Sequence, residues 1–206
     1  MLRWGLLLAL ALSAACSRQA DYQPLAPGST VLAFGDSVTY GTGARPGEDY
    51  PSVLARTTGW NVINAGVPGE LAREAKNRIG PLLAEHRPQL VIVELGGNDF
   101  LRKRRDDLVR QDLKTIIAAS QDSGAITVLV AVPRLSLLRA GMGALKDSAI
   151  FEQLAEETGV LLIPSVFSDV LSDDTLRADQ VHPNAEGYRV LTAGFVEAMR
   201  SAGLLP

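Results

Sequence analysis

Short apolar runs alternate five times with longer amphipathic stretches in this chain, and this alternation limits the possible folds more than any other feature. The apolar runs are rich in Val, Ile and Leu without strict alternation, which is typical of strands buried on both faces. They span residues 30–34, 61–64, 90–95, 126–132 and 160–163. The amphipathic stretches span residues 49–58, 69–85, 107–123, 144–158 and 185–202. The pattern predicts an α/β fold, a parallel sheet with helices on both faces.

Glycine and proline mark several boundaries of the predicted helices. Gly59, Gly124 and Gly159 directly follow helical stretches, where glycine commonly ends a helix. Pro81 falls inside the stretch 69–85 and is expected to kink or break it. Because ligands bind at the carboxyl ends of the strands in such sheets, the residues that follow each strand are the first candidates for function.

The first predicted strand runs directly into Gly35-Asp36-Ser37. A serine just past a buried strand lies at the carboxyl edge of the sheet, and Gly35 allows the backbone to turn sharply there. Ser37 is therefore a candidate nucleophile. The alternative is that Asp36 and Ser37 only cap a following helix.

Candidate donors to a developing negative charge follow the second and third strands. Gly66 follows the second strand and is expected to present its backbone N–H to the crevice. Gly96 and Gly97 follow the third strand and allow close backbone approach, and the side-chain amide of Asn98 is a further donor. The alternative for this segment is a turn built from Gly, Asn and Asp.

The candidate base is one of only two histidines in the chain. His182 precedes the last predicted helix, with Asp179 three positions upstream. A carboxylate at that spacing can orient the imidazole and leave its other nitrogen free to act on a serine. His86 lies at a predicted helix end and more simply serves that terminus. Nucleophile, base, orienting acid and oxyanion donors are thus all available for acyl transfer.

These segments, in this order, resemble the GDSL or SGNH hydrolase family. The resemblance covers residues 29–203 and rests on Gly35-Asp36-Ser37, Gly66, Gly96-Gly97-Asn98-Asp99 and Asp179 with His182. In detail it is to the arylesterase, lysophospholipase and acyl thioesterase branch. The resemblance implies a three-layer flavodoxin-like fold with a five-stranded parallel sheet, and no metal or cofactor. It implies catalysis by Ser37, Asp179 and His182, with the Ser37 and Gly66 N–H groups and Asn98 as oxyanion donors.

An apolar loop after the fourth strand is the candidate acyl-chain groove. Leu135, Leu138 and Met142 are expected to line it, with Phe100 as a further wall residue. The alternative is that these side chains pack under the loop as a small satellite core. Glu94 lies inside an otherwise apolar strand, so a hydrogen-bonding partner is expected for its carboxyl group.

The first 28 residues are predicted to lie outside the fold. Residues 1–15 have a positive residue, an apolar core and small residues at the end, which is typical of an export signal. Cys16 follows and resembles the lipidated cysteine of a bacterial lipoprotein, with simple secretion as the alternative. Residues 16–28 then form a tether to the hydrolase domain at 29–206. Export to the periplasm, with possible membrane attachment through Cys16, is expected.

Charge and composition narrow the partners. The formal net charge is −3, so the chain gives no sign of the basic face that is typical of nucleic-acid binding. The basic run at 102–105 is followed at once by two aspartates and favours a solvated loop over substrate or membrane contact. An ester or lipid substrate is expected, with no nucleic acid. A carbohydrate O-deacetylase and a non-catalytic envelope protein that binds lipid or glycan are the alternatives.

Overall fold

The computed structural model describes residues 22–134 and 145–206, and five strands within them form one parallel sheet. The strands are β1 (Thr30–Gly35), β2 (Asn61–Gly66), β3 (Leu90–Glu94), β4 (Ile126–Val130) and β5 (Leu161–Ile163). Their order is β2-β1-β3-β4-β5. This is the flavodoxin-like order, so the predicted fold class is confirmed.

Helices cover both faces of this sheet. They are α1 (Ser37–Tyr40), α2 (Tyr50–Thr58), α3 (Ala72–Ala75), α4 (Ile79–His86), α5 (Gly97–Leu101), α6 (Asp106–Asp122), α7 (Ile150–Thr158), α8 (Val166–Ser172) and α9 (Ala185–Ser201). On one face α9 packs against α2 and α8, and on the other α6 packs against α3, α4 and α7. Within the described residues, no helix is long and apolar enough to cross a membrane.

The predicted helix at 69–85 is two shorter helices, α3 and α4. The break lies at residues 76–78, ahead of Pro81, which is the third residue of α4. A proline in the first turn removes no intrahelical hydrogen bond, since the N–H groups there have no intrahelical acceptor. The expected break is therefore present, and it lies just ahead of Pro81, which is in the first turn of a new helix.

Burial follows the position of each strand in the sheet. Residues 31–34 of β1 and 90–93 of β3 have no exposed surface, as their apolar sequences predict. The edge strand β2 is only partly buried along its length, because one side has no neighbouring strand. The prediction of burial on both faces therefore holds for the central strands and not for β2.

The register brings three strand ends level with one another. Gly35 at the end of β1 pairs with Gly66 of β2 and with Glu94 of β3. The segments that leave these strands therefore start at the same height on the carboxyl edge of the sheet. Residues far apart in sequence meet at that edge.

Candidate active site

Ser37 is the first residue of α1, directly past the carboxyl end of β1. Asp36 caps this helix, because its Oδ1 accepts the Val38 N–H at 3.1 Å. A Cβ at Gly35 would overlap the side chain of Thr39 and the carbonyl of Glu94, so only glycine lets α1 start this close to β3. The capping alternative thus applies to Asp36, whereas the Ser37 hydroxyl has a different partner.

That partner is the imidazole of His182, which lies in the loop before α9. His182 Nε2 lies 3.0 Å from Ser37 Oγ, and His182 Nδ1 lies 2.8 Å from Asp179 Oδ2. The other carboxylate oxygen, Asp179 Oδ1, accepts the backbone N–H groups of Val181 at 2.8 Å and of His182 at 2.9 Å. The structure thus joins the three predicted residues in one hydrogen-bonded chain.

The Asp179 carboxylate is held in its charged form. Burial opposes ionisation, but the hydrogen bonds from His182 and from the Val181 N–H outweigh it and lower the pKa of Asp179. A charged Asp179 at this distance stabilises the tautomer of His182 that carries its proton on Nδ1. His182 Nε2 is then an acceptor facing the Ser37 hydroxyl.

The Asn98 amide lies beside Asp36, the residue that precedes Ser37. Asn98 Nδ2 donates to Asp36 Oδ2 at 2.9 Å and to the backbone carbonyl of Glu70 at 3.2 Å. An amide nitrogen carries two hydrogens, so both are engaged in this structure. The predicted donor therefore lies at the site, and the longer of its two hydrogen bonds is the one to the Glu70 carbonyl.

The structure gives Gly66 a different role from the predicted one. Its N–H donates to the side chain of Asn64 at 3.0 Å, and a Cβ there would overlap the backbone of Tyr40. Because Gly66 ends an edge strand, this N–H is not directed at β1 and finds a local acceptor instead. The prediction that Gly66 supplies an oxyanion donor is therefore corrected: Gly66 allows α1 to pack closely on β2.

A glycine missed by the sequence interpretation follows three positions later. The Val67 N–H donates to the Gly35 carbonyl, Pro68 has no N–H, and the Glu70 N–H donates to the Val67 carbonyl. Among the described residues, none accepts a hydrogen bond from the Gly69 N–H. Gly69 has a φ of +77° and precedes Glu70, whose carbonyl contacts Asn98. A glycine required at positive φ was the available signal.

The expected partner of Glu94 is Thr39, one turn of α1 beyond Asp36. The Thr39 hydroxyl donates to Glu94 Oε2 at 3.0 Å and also lies 3.0 Å from the Tyr50 hydroxyl. Burial raises the pKa of Glu94 well above its ordinary value, and the neighbouring Asp36 raises it further. Burial also raises the pKa of Asp36 to about 6, opposed by hydrogen bonds from the Val38 N–H and the Asn98 amide and by the nearby His182.

A cavity of about 140 Å³ opens beside Ser37 and His182. Asp36, Glu94 and Asn98 contribute its polar lining. Its apolar lining comes from Val38, Leu101, Phe167 and Val181. The sequence interpretation did not single out Phe167, which lies on α8 after β5.

The structure places the predicted wall residue Phe100 in the core. Phe100 is 6% exposed, and its ring packs edge-on against Phe151 with 6.3 Å between centroids. The next residue, Leu101, is 41% exposed and lines the cavity in its place. Phe100 and Leu101 point in different directions because successive residues of an α-helix are rotated by about 100°. The expected groove residues Leu135, Leu138 and Met142 lie outside the described residues, as does Cys16.

The basic run at 102–105 is only partly the solvated loop that its composition favours. Arg104 contacts Asp99 and also bonds Asp112 at 2.8 Å, and only 15% of its side chain is exposed. Asp99 has no exposed surface and accepts the Ala72 N–H at 3.0 Å. This ion-pair cluster therefore links α5, which carries the Asn98 amide, to α3 and α6.

No group of three or more His, Cys, Asp or Glu side chains within the described ranges is arranged to hold a metal ion. The hydrogen-bonded chain from Asp179 through His182 to Ser37 has what nucleophilic acyl transfer needs without one. In acyl transfer of this kind, an adjacent base activates the nucleophilic hydroxyl, and an ionised acid orients that base.

Comparison with known proteins places this chain among ester hydrolases. Residues 33–190 match the model of the GDSL-like Lipase/Acylhydrolase family. Thioesterase 1/protease 1/lysophospholipase L1 of Escherichia coli (strain K12) is 31% identical over 169 residues, which is 78% of each chain. The Arylesterase of Vibrio mimicus is 29% identical over 165 residues, which is 76% of this chain and 80% of the relative. The psychrotrophic esterase EstA from Pseudoalteromonas sp. superposes with a TM-score of 0.72 at 25% identity, covering 84% of this chain and 97% of EstA.

Proposed function

The chain belongs to the GDSL-like Lipase/Acylhydrolase family and is a serine ester hydrolase, and from this premise we propose that Ser37, His182 and Asp179 form its catalytic triad. The observation that carries the proposal is the 3.0 Å contact between His182 Nε2 and Ser37 Oγ. The reaction is hydrolysis of carboxylic esters through an acyl-enzyme.

In the acylation step, Ser37 Oγ attacks the ester carbonyl carbon while His182 Nε2 takes its proton. The imidazolium then protonates the leaving alcohol oxygen, and the acyl group stays on Ser37. Asp179 remains ionised and stabilises the imidazolium. Water enters, and His182 Nε2 takes a proton from it as its oxygen attacks the acyl carbon. The bond from that carbon to Ser37 Oγ then breaks, the imidazolium returns its proton to Ser37 Oγ, and the acid leaves.

The oxyanion formed in both steps needs donors that are in place before reaction. The Ser37 N–H and the Asn98 amide lie on the two sides of Asp36, and we assign them this role. The Asn98 amide frees one hydrogen by giving up its 3.2 Å bond to the Glu70 carbonyl, while Asp36 keeps it oriented at 2.9 Å. Gly69, in place of Gly66, is the third candidate, because its N–H is not engaged by any described residue.

Replacing the nucleophile tests the proposal most directly. We expect Ser37→Ala to lose ester hydrolysis by at least about 10,000-fold, because within residues 22–134 and 145–206 only the Ser37 hydroxyl is hydrogen-bonded to His182. Hydrolysis of nitrophenyl esters and labelling by a fluorophosphonate probe are measured on the same preparations. The control is Ser201→Ala, whose hydroxyl contacts only Glu197 on α9. Wild-type activity in folded Ser37→Ala would refute the triad.

Replacing the amide tests the oxyanion assignment separately. We expect Asn98→Ala to lower kcat by about 100- to 1,000-fold, the usual cost of losing one oxyanion donor. Fluorophosphonate labelling of Ser37 is expected to persist more slowly, since the nucleophile and base are still present. The control is Asn77→Ala, an exposed amide that bonds only the Arg73 carbonyl. A loss below about threefold in kcat would remove Asn98 from the mechanism.

The substrate class is proposed from the cavity and the relatives together. The apolar lining from Val38, Leu101, Phe167 and Val181 suits an acyl chain better than a sugar ring. We therefore propose aryl esters, lysophospholipids and acyl thioesters as substrates and place carbohydrate O-deacetylation second. A panel of esters that varies acyl length against acetylated glycans separates the two. Acetate release from glycans without activity on longer acyl esters would favour the deacetylase.

The cellular location is also proposed from the sequence. Residues 1–15 suit an export signal, and Cys16 suits a lipid attachment point. The predicted tether of residues 16–28 is corrected at its end, because Leu25 and Gly28 hydrogen-bond Leu204 and Gly59 and the Tyr22 side chain packs against the core. The residues between Cys16 and Tyr22 would then connect the hydrolase domain to a bacterial envelope membrane or, without lipidation, the domain would be free in the periplasm.

A further inference from the structure

The basic run after α5 is only partly accounted for by the ion pairs of the structure. Arg104 belongs to the cluster with Asp99 and Asp112, and Arg105 pairs with Asp107 at 2.6 Å. Arg102 and Lys103 are exposed, and neither has a carboxylate partner among the described residues. These two cations are therefore available to a ligand.

Arg102 lies on the same face of α5 as the catalytic machinery. It is four positions after Asn98, and its backbone N–H donates to the Asn98 carbonyl at 3.0 Å. Residues three and four apart share one face of a helix, so Asn98, Leu101 and Arg102 point in similar directions. Asn98 and Leu101 both line the cavity beside Ser37. Arg102 is exposed and does not itself line the cavity, so it lies next to Leu101 just outside that lining.

A direct contact supports this placement. Arg102 Nη2 lies 3.5 Å from the carbonyl of Gly69, and the carbonyl of the next residue, Glu70, accepts a hydrogen bond from the Asn98 amide. A guanidinium has five N–H donors, so a single long contact to a carbonyl leaves most of them available. Lys103 has a φ of +54°, which turns the backbone away from the line of the helix.

The charges next to Arg102 are balanced by other residues. Glu70, adjacent to Gly69, is paired with Arg78. Asp99, the only acid on α5, is paired with Arg104. The positive charge of Arg102 is therefore not cancelled by either of these neighbouring carboxylates.

We propose that Arg102 is a specificity-determining residue that binds an anionic oxyacid group, a phosphate or a carboxylate, carried by the ester substrate at the mouth of the cavity. The guanidinium fork matches both anions in bidentate geometry. The acyl group enters the apolar part of the cavity while the anion remains at the solvent-exposed rim. This inference rests on the proposed hydrolysis at Ser37 and names the charge of the preferred substrate.

Matched ester pairs test it. Octanoyl glycerol phosphate is compared with octanoyl glycerol, and octanoyl glycolate with the octanoyl ester of ethylene glycol, all as monomers in solution. The quantity measured is the ratio of kcat/KM for the anionic ester to that for its neutral partner. We expect Arg102→Gln to lower this ratio by about three- to tenfold for at least one anion, and that pair identifies which anion is bound.

Arg105→Gln is the matched control, because it removes the same charge from the same loop while its guanidinium is already engaged by Asp107. Its ratio is expected to equal that of the wild type. Arg102→Lys keeps the charge but loses the fork, so an intermediate ratio is expected. Raising NaCl from about 0.05 M to about 0.5 M should shrink the wild-type ratio, since the pair is exposed.

The possible failures are distinguishable. Equal ratios for wild type, Arg102→Gln and Arg105→Gln in both pairs would overturn the role of Arg102, even with full hydrolysis by Ser37. An equal fall in Arg102→Gln and Arg105→Gln would also overturn it, because net charge alone would then explain the effect. Retained hydrolysis in Ser37→Ala would instead overturn the proposed function.

Discussion

Glu94 and Asp36 are two buried carboxyl groups at the helix that carries Ser37: Asp36 caps it, and Glu94 accepts a hydrogen bond from its Thr39. Glu94 is 1% exposed and Asp36 is 2% exposed. Burial of two like charges near each other favours the protonated form of at least one of them. Glu94 Oε1 has no hydrogen-bond partner among the described residues, which costs less for a neutral carboxyl than for a charged one. We therefore treat Glu94 as the protonated member of the pair at neutral pH.

This protonation predicts the sign of a pH effect on stability. The pKa of Glu94 in the folded protein lies above the ordinary value of 4.5, so the folded state keeps a proton that the unfolded chain releases. Its contribution to stability is complete below that ordinary value and is lost as pH rises toward the folded pKa. Glu94→Gln removes this dependence. Relative to wild type, the variant should gain stability from about pH 4.5 upward, by up to about 1.4 kcal/mol per pH unit.

Urea unfolding of both proteins between about pH 4.5 and pH 8 measures this difference in the free energy of unfolding. The control is Glu85→Gln, because 69% of the Glu85 side chain is exposed. A stability difference between Glu94→Gln and wild type that does not vary with pH would contradict a protonated Glu94.

Single residues differ in how far sequence alone predicts their role. Ser37, Asp179 and His182 could be identified as candidates only from their combination, because a serine after the first strand can by itself equally be part of a helix cap. The choice between Gly66 and Gly69 was not, because it depends on which N–H is engaged by the Asn64 side chain. Phe100 and Leu101 are adjacent and both apolar, and only the rotation of α5 decides which one lines the cavity.

At the scale of elements, the short helices at the site were the least predictable part of the fold. α1 has four residues and α5 has five, too few for an apolar periodicity to appear in the sequence. They form because tertiary contacts hold them, as when Asp36 caps α1 and Asp99 connects α5 to the Ala72 N–H. The longer helices α2, α6 and α9 were predicted to within a residue or two at each end, because their apolar faces are continuous.

Helix packing gives a prediction from two glycines in different surroundings. A Cβ at Gly194 in α9 would overlap the side chain of Val166 at the start of α8, whereas Gly80 in α4 has open space around it. We expect Gly194→Ala to destabilise the fold by about 1–3 kcal/mol through overpacking. Gly80→Ala should change the stability by less than about 1 kcal/mol, because the higher helix propensity of alanine is offset by contact between its Cβ and the ring of Pro81, the next residue.

The two variants control each other, since both exchange a helical glycine for alanine. Their free energies of unfolding are compared with that of the wild type in urea. Equal effects in both variants would show that α9 does not pack closely on Val166 of α8 at Gly194.

At the scale of the whole molecule, strand order and register explain why distant residues form one site. β1 lies between β2 and β3, and the ends of these three strands are level at Gly35, Gly66 and Glu94. The alternation of strands and helices predicted a parallel sheet, but it did not contain the strand order. That order came only through the family resemblance, because pairing between distant strands leaves no local pattern in a sequence.

The turn formed by residues 179–182 has a consequence for how the enzyme responds to mild perturbation. Asp179 and His182 are held together locally, because the backbone N–H groups of Val181 and His182 both donate to Asp179 Oδ1. The contact between His182 and the Ser37 hydroxyl, by contrast, joins residues 145 positions apart in sequence, so it depends on tertiary packing. Slight expansion of the protein interior would therefore separate His182 from Ser37 while the turn at 179–182 stays intact. The rate of ester hydrolysis would then fall under mild perturbation before circular dichroism shows any loss of helices or strands.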